Sequence, residues 1–182
     1  YKHRILYYGP SSSKDLLATI NQYHQVPAAL KDIPAGNEYS YLETPVTKVL
    51  VAPYDAKQIY MAQISNLDKK YDPAIEPIRA LYDEYFGGGM NSIVFQEMRE
   101  TRGLAYSAWA SIMPPSYLKY PYVLRTQIAT QNDKMIDAVT TFNDIINNMP
   151  ESEAAFKLAK DGLTNRLRTE RIIKGDIIWS YI

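Results

Sequence analysis

Three consecutive glycines, Gly87-Gly88-Gly89, stand between two stretches of helical periodicity and set the strongest constraint on this chain. No helix runs through three such residues, so the chain must break there and restart. Before the break, Ile75, Ile78, Leu81, Tyr82 and Tyr85 recur at helical spacing behind Asp72-Pro73. After it, a shorter helix is expected over about 91–102, with Ile93, Val94, Phe95 and Met98 apolar and Gly103 as its stop. A phosphate-cradling loop would need a strand before the glycines and a Gly-Lys-Ser/Thr after them. Neither is present. A packing role remains, in which Gly87, Gly88 and Gly89 form a structural loop that lets the two helices approach closely.

The same periodicities organise the rest. Strand patterns are read at Arg4–Tyr8, at about 47–53 and 58–67 with a short turn between them as a hairpin, at 104–113, and at 120–129. A capping box at Ser12 and Asp15 opens a helix carrying Leu16, Leu17, Ile20 and Tyr23. Residues 25–40, with Pro27, Pro34 and Gly36, read as a connector. One helix from about Asn132 places Met135, Ile136, Val139, Phe142, Ile145 and Ile146 on one face. Another, beyond Pro150, buries Phe156, Ala159, Leu163 and Leu167, and 175–182 begins a further one. Strand, helix, two strands, two helices, two strands and two helices imply an α+β fold: a two-layer sandwich of helices on a mainly antiparallel or mixed sheet.

Composition narrows the function. With 182 residues, 46% hydrophobic and 22% charged, the chain matches one globular domain. Twenty Lys plus Arg balance twenty Asp plus Glu, which argues against nucleic acid as a partner. No apolar run reaches membrane-spanning length, and no signal peptide is legible. Zero cysteines exclude a disulfide framework and thiolate metal ligands, and His3 and His24 are too far apart to make a ligand pair. No metal site is expected within this chain. It opens on Tyr1 and reaches a strand-like run at once, as an excised domain does, so residues 1–182 are expected to be one domain of a longer protein, slightly truncated at the C-terminus.

Arg99, in the last turn of the short helix, and Tyr106, at the start of the following strand, are seven residues apart across the reversal at Gly103. A charged donor and a neutral one reaching one point suit a carbonyl oxygen that becomes negative during acyl transfer. A helix-ending arginine is equally a favourable surface cation, and a strand tyrosine equally a packing residue.

The stretch YFGGGMNSIVFQEMRETRGLAYS, Tyr85 to Ser107, resembles the C-terminal half-domain of the pitrilysin or insulinase family of zinc metallopeptidases. The resemblance implies one half-domain of a zinc metalloendopeptidase whose zinc and general-base glutamate lie in another half-domain, on a His-x-x-Glu-His motif, in the same chain or a partner subunit. Arg99 and Tyr106 match the arginine and tyrosine that hold the peptide substrate. This chain has no His-x-x-Glu-His, so alone it is expected to be inactive and to bind no zinc. The alternative is a non-catalytic subunit of the same fold that binds peptides or assembles a complex. The compartment is unknown from sequence, with the bacterial periplasm or cell envelope favoured.

Overall fold

The computed structural model describes residues 2, 4–37, 39, 43 and 45–180. His3 and Tyr1 lie outside the described residues. The chain divides into two compact units, Tyr1–Tyr39 with Glu170–Ile182, and Ser40–Thr169.

In the first unit, helix α1 (Ser13–Tyr23) starts where the sequence places it. The Ser12 hydroxyl oxygen accepts from the Asp15 backbone N–H at 3.2 Å and its proton goes to Asp15 Oδ2 at 2.7 Å. His24 is the C-cap residue, its N–H bonded to the Ile20 carbonyl. The expected strand at Arg4–Tyr8 is irregular instead, and Ile5, Leu6, Tyr7 and Tyr8 are exposed. A strand pattern becomes a strand only where a neighbouring ladder takes its N–H and C=O groups, and none does so here among the described residues.

The second unit holds the core. It runs β1 (Gln58–Lys70), α2 (Glu76–Phe86), α3 (Ile93–Phe95), β2 (Ser107–Met113), β3 (Pro121–Gln131), α4 (Met135–Asn147) and α5 (Glu153–Thr169). A further short helix, α6 (Asp176–Ser180), belongs to the first unit. The three strands form an antiparallel sheet in the order β1-β3-β2, with Met61 opposite Ile128 and Ala108 opposite the same residue. The α+β expectation of helices on an antiparallel sheet holds. The expected hairpin does not: residues 47–53 are irregular, with Val49, Leu50 and Val51 more than 80% exposed, so β1 stands without them.

One face of the sheet is covered. Phe86, Val94, Met98, Ala110, Ile128, Ala138 and Phe142 are fully buried around it. Turn chemistry fixes how each helix enters that core. The Asp72 carboxylate accepts from the Ala74 N–H at 2.9 Å, opening the turn Pro73–Ile75 that leads into α2. Ser92 caps α3 and its hydroxyl donates back to the Gly89 carbonyl at 2.6 Å. Tyr85 ties α5 in: its hydroxyl donates to the Pro150 carbonyl at 2.9 Å and accepts from the Ser152 N–H at 3.0 Å.

Two helical faces differ from the sequence pattern. On α5, Ala159 is buried but Phe156 and Leu167 are exposed, because the helix meets its neighbours through Ala155 and Ala159, a smaller and rotated line. On α4, Ile136 is exposed and Ala138 takes the buried place. In both, an alanine allows closer helix approach than the larger residue beside it.

The glycines also act elsewhere than expected. A side-chain carbon on Gly87 would meet the Ala110 carbonyl oxygen and lie 2.5 Å from the Ala110 nitrogen. The close approach is therefore between the end of α2 and strand β2, rather than between two helices. Directly alongside, Asp83 Oδ1 accepts from the Ile112 N–H at 2.8 Å and Arg79 Nη1 donates to the Ile112 carbonyl at 3.0 Å. Helix α2 thereby covers the outer edge of β2, whose main-chain groups would otherwise be open to another strand.

Candidate functional site

Helix α3 does not continue as an α-helix. From Gln96 to Thr101 the backbone widens into a π-helical segment, and Arg99 lies in its middle. Such widening is rare and recurs at functional sites because it re-aims side chains that a regular helix would place elsewhere. The segment ends at Gly103 in the left-handed region, φ 57°, where glycine carries no steric penalty. The Leu104 and Ala105 N–H groups then both return to the Met98 carbonyl, at 2.8 and 3.2 Å, from six and seven residues on, a longer reach than an ordinary helix stop makes.

That turn is pinned from the other side as well. The Thr130 hydroxyl donates to the Leu104 carbonyl at 2.5 Å and Lys134 Nζ donates to the Gly103 carbonyl at 3.0 Å. The Tyr106 N–H joins the sheet through the Ala129 carbonyl at 2.8 Å. Every main-chain direction between Met98 and Ser107 is thus set by the π-segment, by β3 or by Lys134.

The consequence is that Arg99 and Tyr106 meet. The guanidinium carbon of Arg99 lies 5.4 Å from the Tyr106 ring centroid and 5.1 Å from that of Phe95. Cation–π contacts of this kind contribute about 0.5–1 kcal/mol each at exposed sites, enough to bias the arginine rotamer without using its N–H donors. Glu100 Oε1 lies 3.6 Å from Arg99 Nε, an exposed ion pair beyond hydrogen-bonding distance. Among the described residues the Tyr106 hydroxyl has no hydrogen bond, and Tyr106 is 67% exposed.

Both side chains line one open cleft of about 240 Å³, with Gln58, the turn Gly103–Ala105, Thr130, Gln131 and Lys134. Its volume lies below the roughly 300 Å³ at which small-molecule pockets begin, and suits one or two residues of an extended chain. Two cations line it and no carboxylate does. Arg102, by contrast, turns to Glu97 at 3.3 Å and stays a surface ion pair.

The sequence-predicted pair is therefore brought together. What the sequence did not disclose is the π-segment, since its single-residue widening leaves no residue signature, and the part played by Lys134 and Thr130, which lie about thirty residues downstream and meet the turn only through β3. Gly87, Gly88 and Gly89 lie outside the cleft lining. Among the described residues no group of three or more His, Asp and Glu side chains is placed to hold a metal ion, and no helix is long and apolar enough to cross a membrane.

Comparison with known proteins follows the same lines. A family model described as the peptidase M16 inactive domain matches residues 5–163. A crystal structure of a peptidase M16 inactive domain from Pseudomonas fluorescens is similar at a TM-score of 0.50 and 18% identity, covering 64% of this chain and 28% of that one. A conserved protein from Enterococcus faecalis V583 is similar at a TM-score of 0.43 and 21% identity, over 62% of this chain and 26% of that one. This chain thus spans little more than a quarter of the length of either structure. No curated protein matches it.

Proposed function

Because the chain belongs to the peptidase M16 inactive-domain family, we propose that it is the substrate-holding half of a zinc-dependent endopeptidase whose metal, attacking water and base reside on another half-domain. The chain's own residues make no zinc ligand set among those described, so its contribution is to the peptide. The observation that carries the reading is the Arg99–Tyr106 pair: two donors brought together at one cleft, neither of them hydrogen-bonded among the described residues, with Arg99 in only a 3.6 Å exposed ion pair to Glu100.

A peptide carbonyl entering the cleft accepts from the Arg99 guanidinium and the Tyr106 hydroxyl. Both donors sit at one cleft before the substrate arrives, which limits the reorganisation needed when negative charge develops on that oxygen. The arginine, charged at any working pH, stabilises that charge; the tyrosine adds direction. Losing one aligned donor of this type costs about 3 kcal/mol, on the order of a hundredfold in rate.

The test is peptide hydrolysis by the complete protein, with any partner subunit carrying His-x-x-Glu-His present, for wild type, Arg99→Ala and Tyr106→Phe. A fall in kcat/KM of ten- to a thousandfold for each, with zinc content and thermal unfolding unchanged, is expected. Peptide binding without hydrolysis in the wild type would move the chain to the non-catalytic, peptide-binding reading. Hydrolysis that neither substitution alters would remove both residues from the site.

A further inference from the structure

The lining of the cleft carries an imbalance that holding a neutral carbonyl does not require. Arg99 and Lys134 both line it, while the lining holds no aspartate or glutamate to offset them. Glu100 and Asp133 are absent from the lining, but Glu100 Oε1 lies 3.6 Å from Arg99 Nε, an exposed ion pair that offsets part of the guanidinium charge. The lining itself holds two cations and no carboxylate, so its own side chains make the concave surface net positive, with Glu100, which is not in the lining, partly offsetting Arg99.

Lys134 is suited to use that field. It is half-buried and is itself the N-cap residue of α4, a thirteen-residue helix without a side-chain cap there, so the positive end of the helix dipole adds to the ammonium charge, with Asp137 in the first turn acting against it. A lysine ammonium has three N–H donors. One goes to the Gly103 carbonyl at 3.0 Å, which fixes the head group beside the turn that carries Tyr106. Two donors remain, and both the helix start and the turn are fixed, so the charge is positioned at the cleft wall.

We propose that this cleft is a carboxylate-selecting subsite, in which Lys134 takes an anionic group of the bound peptide beside the carbonyl held by Arg99 and Tyr106. The proposal rests on the reading of that pair as peptide-holding. The shared chemistry is a peptide carboxylate, from an acidic side chain or from a free C-terminus. Arg99 and Lys134 then divide the work: the guanidinium faces the backbone, and the ammonium, a compact point charge without the planar fork, selects a carboxylate with loose angular demands.

The experiment measures fluorescence polarisation of three labelled pentapeptides on the complete protein: a C-terminal amide with central Glu, the same amide with central Gln, and the Gln peptide with a free C-terminal carboxylate. An anionic peptide is expected to bind about three- to tenfold tighter than the Gln amide, the range of a partly exposed ion pair in a fixed site. The Glu amide identifies a side-chain subsite, and the free acid a terminus subsite. The preference should shrink at 0.5 M salt, disappear in Lys134→Gln and survive in Lys134→Arg. Lys134→Arg, which keeps both the charge and a donor for the Gly103 carbonyl, is the control for the turn.

Absence of any preference for either anionic peptide in wild type, or its persistence in Lys134→Gln, overturns the proposal. Arg99→Ala separates the two readings. If it weakens all three peptides alike while Lys134→Gln leaves the preference untouched, the subsite falls and the peptide-holding reading stands. If it alters none of them, the peptide-holding reading falls and takes the subsite with it.

Discussion

Two arginines on neighbouring helical segments show how one residue type is used in opposite ways. Arg79, on α2, has three of its five donors engaged: Nε on Glu76 at 2.9 Å, Nη1 on Asp83 at 2.7 Å and on the Ile112 carbonyl at 3.0 Å, with about a fifth of its side chain exposed. Arg99 touches two aromatic rings and no hydrogen-bond acceptor within 3.5 Å among the described residues. The first arginine closes a network that holds helix to strand. The second is held by its carbon and ring contacts while its donors stay available, which is the arrangement a ligand-binding arginine needs. Satisfied polar groups mark structure here, and oriented but unengaged ones mark the candidate site.

The comparison can be broken first at the α2–β2 junction. Gly87→Ala inserts a carbon against the Ala110 main chain, where neither partner is a flexible side-chain end. A loss of about 3 kcal/mol is expected, read as a lower urea midpoint. An unchanged midpoint would mean that the helix can step away from β2 without cost.

Asp83→Ala is next, at about 2 kcal/mol. It leaves the Ile112 N–H, the Ser111 hydroxyl and Arg79 without their shared acceptor in a half-buried place. The same network has a pH signature with two signs. Burial raises the Asp83 carboxyl above its ordinary value, against the lowering effect of the Ile112 N–H, the Ser111 hydroxyl and Arg79. The folded state then binds that proton more readily than the unfolded chain, so this group makes stability fall as pH rises from about 4 through the raised value. Glu76 is lowered, chiefly by the Tyr122 hydroxyl. Its contribution is present above the ordinary glutamate value and is lost as pH falls through the lowered one. Glu76→Gln should flatten the acid limb of a stability-pH curve and Asp83→Asn the limb just above it. Coincident changes in both variants would show that the two carboxyls titrate as one group.

How much of this was legible in the sequence follows the same division. Local signals are readable because they act on neighbours: the capping box at Ser12 and Asp15, the Asp72-Pro73 entry before α2, the glycine stop at Gly103, and the Arg99–Tyr106 spacing across it. The Ser92 cap is visible only in the structure. Long-range satisfaction is not readable. Val49 to Val51 have strand residues but no ladder in the described structure, whereas the equally apolar Val123 and Leu124 are flanked by β1 and β2 on either side. The sequence points to a helix-to-helix contact at Gly87 because the actual partner, Ala110, offers its backbone and so has no side-chain signature. Lys134 went unread for a similar reason, since its acceptor is a carbonyl thirty-one residues away.

A smaller effect sharpens the rule from the core side. Thr126 Oγ1 is fully buried with no partner among the described residues. If unengaged polar groups outside the cleft are only costs, Thr126→Val should raise stability by about 1 kcal/mol in thermal unfolding. A loss instead would give that hydroxyl an unrecognised partner. The smallest stability effect is expected at the site itself: Arg99→Ala gives up exposed cation–π contacts and should cost less than about 1 kcal/mol.

The most direct measurement sets Arg99→Ala beside Asp83→Asn in the complete protein, with any partner subunit present, and records kcat/KM on a peptide together with the urea midpoint for each. The predicted result is crossed. Arg99→Ala loses on the order of a hundredfold in kcat/KM with its midpoint nearly in place, and Asp83→Asn loses midpoint while its native-state kcat/KM stays within about twofold of wild type. An Arg99→Ala protein that keeps its kcat/KM, or that loses activity only in proportion to a lost midpoint, would contradict the account and make Arg99 one more structural arginine.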